Sequence, residues 1–119
     1  MKKTLVLGAS TNVSRYSNIA IKRLVEHKQP VCAIGLRSGE VSGIEIQIGK
    51  PAFEEVHTVT MYINAKRQPE YYDYLLSLKP SRIIFNPGTE NPEFYTILEK
   101  NGIIADPACT LVLLASKQY

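Results

Sequence analysis

Five short apolar runs, at residues 4–7, 31–34, 59–63, 82–85 and 102–105, punctuate the chain. Each is too short to hold a helix alone and too continuous for a strand with one wet face. Each is therefore expected as a strand buried on both sides of a parallel sheet. Between them the apolar period becomes helical. In residues 17–28, Ile19, Ala20, Ile21, Leu24 and Val25 take one side and Lys22, Arg23, Glu26 and His27 the other. In residues 69–79, Tyr71, Tyr74, Leu75 and Leu78 recur at intervals of three and four, with Pro69 suited to a first turn and Pro80 to a stop. In residues 90–102, Asn91 is placed as an N-cap, Pro92 as the first helical residue and Gly102 as the residue that closes the helix. The segment 110–116 is expected as a short closing helix.

Alternating strands and helices make right-handed βαβ crossovers, and 119 residues supply one core and not two. The expectation is a single domain over 1–119, an α/β, doubly wound, Rossmann-like parallel sheet of five strands in the order 3-2-1-4-5 with helices on both faces. Residues 40–53, where Ile44, Ile46 and Ile48 alternate with polar neighbours, are expected as an extended excursion rather than one of the five strands. Any helix there is confined to a turn near residues 53–56.

Lysine and arginine exceed aspartate and glutamate by 14 to 11, and the basic residues are scattered, which argues against nucleic acid and fits a small phosphorylated ligand. No stretch approaches the roughly 20 apolar residues of a membrane span, and the run after Lys2 and Lys3 stops too early for a secretory signal. Cys32 and Cys109 form no framework or CxxC pair. A cytoplasmic protein is expected.

Sheets of this kind bind ligands outside the carboxyl ends of the strands, where the winding reverses. There Gly8, lacking a Cβ, allows a close approach to phosphate. Ser10, Thr11, Asn12 and Ser14 offer donors, Arg15 adds charge, and the following helix points its positive end into the same space. The second and third glycines of a dinucleotide fingerprint are absent. After strand 2 stand Gly35, Leu36, Arg37 and Ser38 where an NAD site usually carries an acid; Arg37 suits a phosphorylated ribose, whether of NADP or of coenzyme A. Asn86, Pro87 and Gly88 make a turn beside the same point, with Thr89 and Glu90 able to face the cleft, and Met61, Tyr62 and Ile63 are expected as an apolar wall for adenine.

The set "VLGAS", "SRYSN", "PVCAIG", the turn Val41-Ser42-Gly43-Ile44, "NPGTEN" and "NGIIADPACT" resembles the small CoA-binding domain proteins. These look like a free-standing form of the CoA-binding Rossmann domain that begins the succinyl-CoA synthetase alpha subunit. The resemblance covers nearly the whole chain. It implies that Gly8, Ser10, Ser14, Arg15, Tyr16 and Ser17 surround the CoA diphosphate and that Gly35 and Arg37 lie near the adenosine ribose. It also implies that Tyr62 and Ile63 flank the cleft and that Pro87 and Gly88 line the pantetheine exit. With Ala9, Asn12 and Leu36 these residues make up the candidate site.

No catalytic group and no metal site is expected. His27 and His57 sit away from the carboxyl edge, Cys32 is core, and Cys109 is the one nucleophile expected near the cleft. The function expected is binding of coenzyme A or an acyl-CoA without catalysis. Two alternatives stand beside it. One is a small NADP-dependent reductase or its remnant, for which no Tyr-x-x-x-Lys proton donor is expected. The other is an interaction module presenting Tyr71, Tyr72 and Tyr74, which are expected to pack or to meet a second copy or partner protein.

Overall fold

The computed structural model describes residues 1–119. Its strands are β1 (Thr4–Ala9), β2 (Val31–Gly35), β3 (Gly39–Val41), β4 (Ile44–Gln47), β5 (Thr58–Met61), β6 (Arg82–Phe85) and β7 (Ile104–Pro107). Its helices are α1 (Tyr16–Glu26), α2 (Tyr72–Leu78), α3 (Pro92–Lys100) and α4 (Thr110–Ala115), with 3-10 turns Ala65–Arg67 and Pro69–Tyr71 ahead of α2. The strands form one sheet in the order β3-β4-β2-β1-β5-β6-β7, parallel throughout except where β3 meets β4.

Alternation along each strand sends side chains to two cores. On one face Val6, Ala33 and Ile46 meet Ile21 and Leu24 of α1 and Leu114 of α4. On the other, Leu5, Leu7, Val59, Met61, Ile83 and Phe85 meet Leu75 of α2 and Phe94 and Leu98 of α3. The connection from β4 to β5 contains no helix, and Phe53 and Val56 pack from it onto the second core. No helix is long and apolar enough to cross a membrane.

The α/β, Rossmann-like architecture is as expected, but the sheet is not five parallel strands. The run expected as the outer third strand is β5, and it pairs with β1 directly, Leu5 opposite Val59 and Leu7 opposite Met61. The outer place beside β2 belongs to β4, the segment set aside as an excursion, which pairs in parallel through Ala33 and Ile46. Its alternating pattern is that of a strand near the sheet edge: Ile46 is buried in the core while Glu45 faces solvent. β3 returns antiparallel along it through a two-residue loop in which Ser42 and Gly43 both have positive φ, +50° and +80°, the hairpin turn whose twist suits paired strands.

Boundaries also move: β1 runs on to Ala9, and β5 ends at Met61, which leaves Tyr62 and Ile63 beyond the strand. β7 begins at Ile104 rather than 102, because Gly102, at φ +71°, still closes α3. The helix expected from Pro69 starts as a 3-10 turn and becomes α-helical only at Tyr72. α3 is as read, with the Asn91 side chain accepting from the Phe94 amide.

Phe94 is wholly buried, stacked on Tyr72 at 4.1 Å between centroids and edge-on to Phe85 at 5.9 Å. Phe94→Ala is expected to lower unfolding free energy by about 3–5 kcal/mol in urea denaturation; a loss below ~1 kcal/mol would contradict this account of the core.

Candidate functional site

The winding reverses between β1 and β5, and there the carboxyl edge opens into a cleft of about 720 Å³. Every residue of the candidate site lines it except Ser14. Leu7, Thr11, Ile34, Asn64, Arg67, Tyr71 and Thr89 complete the lining. Met61 is not part of the wall, being fully buried in the core. Cys109 lies outside the cleft lining as the residue before α4, and Tyr71, expected to pack or to meet a partner, is in it. A second hollow of about 290 Å³ lies at the opposite edge among Lys2, His27 and Lys117, and no candidate residue reaches it.

Gly8, expected to admit a phosphate, and Gly35, expected near the adenosine ribose, are both required by the fold itself. Gly8 is the bulged residue of β1, where the pairing to β2 slips between Leu7 and Ala9, and its φ is +100°. A Cβ there would stand 3.0 Å from both the Ile63 side chain and the Tyr62 backbone. At Gly35 a Cβ would stand 2.4 Å from the Ala9 carbonyl oxygen. These glycines let β1, β2 and β5 converge.

The β1–α1 loop is braced from within. The Asn12 amide donates to Ser10 Oγ at 3.0 Å, the Ser14 amide to Asn12 Oδ1 at 3.0 Å, and the Arg15 amide to the Asn12 carbonyl at 3.0 Å. The amides of Asn12 and Ser14 are thus engaged. The first turn of α1 is different: Arg15 at its N-cap offers no side-chain acceptor, and no acidic residue stands in that turn. The amides of Tyr16 and Ser17 are therefore left without an intrahelical partner at the mouth of the cleft. At the Pro87 turn the amides are already taken, Gly88 by Glu90 Oε1 at 2.9 Å and Thr89 by the Asn86 carbonyl at 3.0 Å.

Charge is one-sided. The cleft is lined by Arg15, Arg37 and Arg67 and by no aspartate or glutamate. The one ion pair in the chain, Arg23 with Glu26, lies elsewhere, so all three guanidiniums lack a carboxylate partner. This donor set suits an anion with more than one charged group.

Three amide side chains brace the walls: Asn64 and Gln68, to which the sequence assigned no part, and Asn86, expected only as part of the turn with Pro87 and Gly88. Asn64 accepts from the Arg67 amide and starts the first 3-10 turn. Buried Gln68 spans from the Ile63 carbonyl to the Thr89 carbonyl. Buried Asn86 donates to Thr60 Oγ1 and the Met61 carbonyl, and accepts from the Thr110 amide at 2.9 Å. Amide side chains near turns were the only trace of this in the sequence.

Tyr62 and Lys66 do carry the Tyr-x-x-x-Lys spacing, contrary to expectation, but not the arrangement of a proton donor. Lys66 stands on a 3-10 turn outside the cleft lining. Burial pushes the Tyr62 hydroxyl well above its usual range, beside Thr60 and Thr110. His57 lies at the amino end of β5, its Nδ1 2.7 Å from Thr58 Oγ1, and burial and nearby Arg82 lower its pKa. Burial pushes the Cys32 thiol up to about 11. No cluster of histidine, cysteine and carboxylate is placed to hold a metal.

The molecule is thus a doubly wound α/β domain with a cationic cleft at its point of reversal, the place where sheets of this kind bind ligands. The model of the family described as CoA binding domain matches residues 2–115, and the chain belongs to that family. No curated protein matches the sequence. Among solved structures, the crystal structure of an uncharacterized protein is 48% identical and superposes with a TM-score of 0.97, over 100% of this chain and 98% of that one. A protein from Thermus thermophilus (21% identity, TM-score 0.87, 99% and 90% of the two chains) shares the fold. So does a hypothetical protein from Pyrococcus horikoshii OT3 (22%, 0.85, 98% and 83%).

Because Gly8 serves the strand convergence, Gly8→Ala is expected to destabilise the protein by at least about 1 kcal/mol in urea denaturation, before any ligand is added. An unchanged midpoint would contradict the packing role given to this residue.

Proposed function

We propose that the cleft binds coenzyme A, free or acylated, and that the chain performs no reaction on it. The observation that carries this reading is a lining with three unpaired arginines and no carboxylate beside an uncapped helix start. CoA carries a diphosphate, a 3′-phosphate and an uncharged pantetheine arm. The free amides of α1 and Arg15 suit the diphosphate, acting as a phosphate loop. Arg37, after β2, suits the 3′-phosphate. Tyr16 and Leu36 are 71% and 75% exposed in this cleft and offer apolar surface on which an adenine ring would shed water. Pro87 and Gly88, on the cleft lining, would flank the pantetheine arm. The family to which the chain belongs supports CoA over NADP, which shares the extra ribose phosphate.

Thermal-shift titration is expected to show stabilisation by CoA and none by NADPH at equal concentration; a ligand at one hundred times its Kd adds about 2.7 kcal/mol. Stabilisation by NADPH alone would favour a reductase-like site, and none by either would overturn the reading. By calorimetry, Arg37→Ala is expected to weaken CoA about tenfold and to leave dephospho-CoA nearly unchanged. Equal losses for both ligands would contradict the pairing of Arg37 with the 3′-phosphate.

A further inference from the structure

Gln68 sits between the two 3-10 turns, closing the first and opening the second, and is 0% exposed. Its Nε2 donates to the Ile63 carbonyl at 3.0 Å and to the Thr89 carbonyl at 2.8 Å. Its Oε1 accepts from Asn91 Nδ2 at 2.8 Å. Ile63 and Thr89 line the cleft from its two sides, one following β5 and the other following β6. One rigid amide group therefore spans both walls, and a buried amide group is costly to place unless its bonds are made.

The supporting bonds point the same way. Asn91 also donates to the Tyr72 hydroxyl at 2.8 Å and caps α3, which fixes the acceptor of Gln68 to a helix start. The Thr89 hydroxyl donates to the Asn86 carbonyl at 2.8 Å, and Asn86 is bound in turn to β5. Pro87 and Gly88 are thus held between two anchored residues. The β1–α1 loop uses its own hydrogen bonds and the Asn18 amide, and none of these involves Gln68.

Resting on the reading of the cleft as a CoA site, we infer that Gln68 is a positioning residue. It sets the gap between the wall at Ile63 and the turn at Pro87 and Gly88, and so governs affinity for the pantetheine arm, while the phosphate end is held independently at α1. Gln68 acts from beneath the wall and does not touch the ligand. In Gln68→Met the length is kept and both donors vanish, leaving two buried carbonyls without their partner. The gap is then free to relax.

Calorimetric titration of the full chain with CoA and with adenosine 3′,5′-bisphosphate, which lacks the arm, separates positioning from general softening. Gln68→Met is expected to weaken CoA about tenfold and to change the bisphosphate by less than about twofold. Equal weakening of both ligands, or of neither, would overturn the inference. Should circular dichroism show Gln68→Met unfolded, Asn91→Ser keeps an N-capping side chain and removes the donor to Gln68. It is expected to move CoA affinity selectively in the same direction, and equal or absent effects there would overturn the inference as well. Wild-type protein that binds no CoA would remove the reading and the inference together, a result set apart from the others by the unmutated control.

Discussion

The direct pairing of β1 with β5 is the constraint on which the molecule depends. It reverses the winding of the sheet, so α1 falls on one face and α2 and α3 on the other, and the strand ends part to leave a cleft. The pairing holds to the rim only because residue 8 has no side chain: β1 bulges there and presses against Tyr62 and Ile63. β2 closes in by the same means at Gly35. Asn86 and Gln68 then tie the loops beyond β5 and β6 from below, so the rim is braced by buried amide groups that need no ligand to stay in place.

Electrostatics follow from this geometry. The two principal crossover helices, α1 and α3, begin in opposite ways. α3 has an asparagine cap whose side chain accepts from the Phe94 amide, and at its first position a proline that has no donor to satisfy. α1 begins at the carboxyl edge with an arginine in the capping position and no acceptor. A helix start left open, beside guanidiniums left unpaired, gathers positive potential where the sheet exposes least side chain. An anionic ligand would complete hydrogen bonds the protein alone leaves unmade, which is why binding there would also stabilise the fold.

The sequence made the helices and the edge legible through period and punctuation. Asn91, Pro92 and Gly102 bounded α3 because capping is a local interaction. Topology was less legible: the order of a parallel sheet depends on which crossovers return, and the half-wet β4, with Ile46 in and Glu45 out, did not resemble the continuous runs beside it. Gly8 was expected for a phosphate contact and Gly35 for a place near the ribose, whereas the immediate cause of both is strand against strand, which no single-sequence pattern separates from loop against ligand. Arg67 and Gln68 went unread because they end and follow the first 3-10 turn, Ala65–Arg67, which carries no apolar period. The place of Arg67 in the wall comes from its bond to Asn64, and that of Gln68 beneath the wall from contacts to Ile63, Thr89 and Asn91.

On the proposed reading, the unoccupied amides at the start of α1 receive the diphosphate of CoA. Backbone-amide NMR spectra recorded with and without CoA address this most directly. Large, saturable shifts are expected for Tyr16 and Ser17, with the Gly88 amide, already bound to Glu90, moving little. Shifts confined to other parts of the chain, with Tyr16 and Ser17 unmoved at saturation, would contradict it.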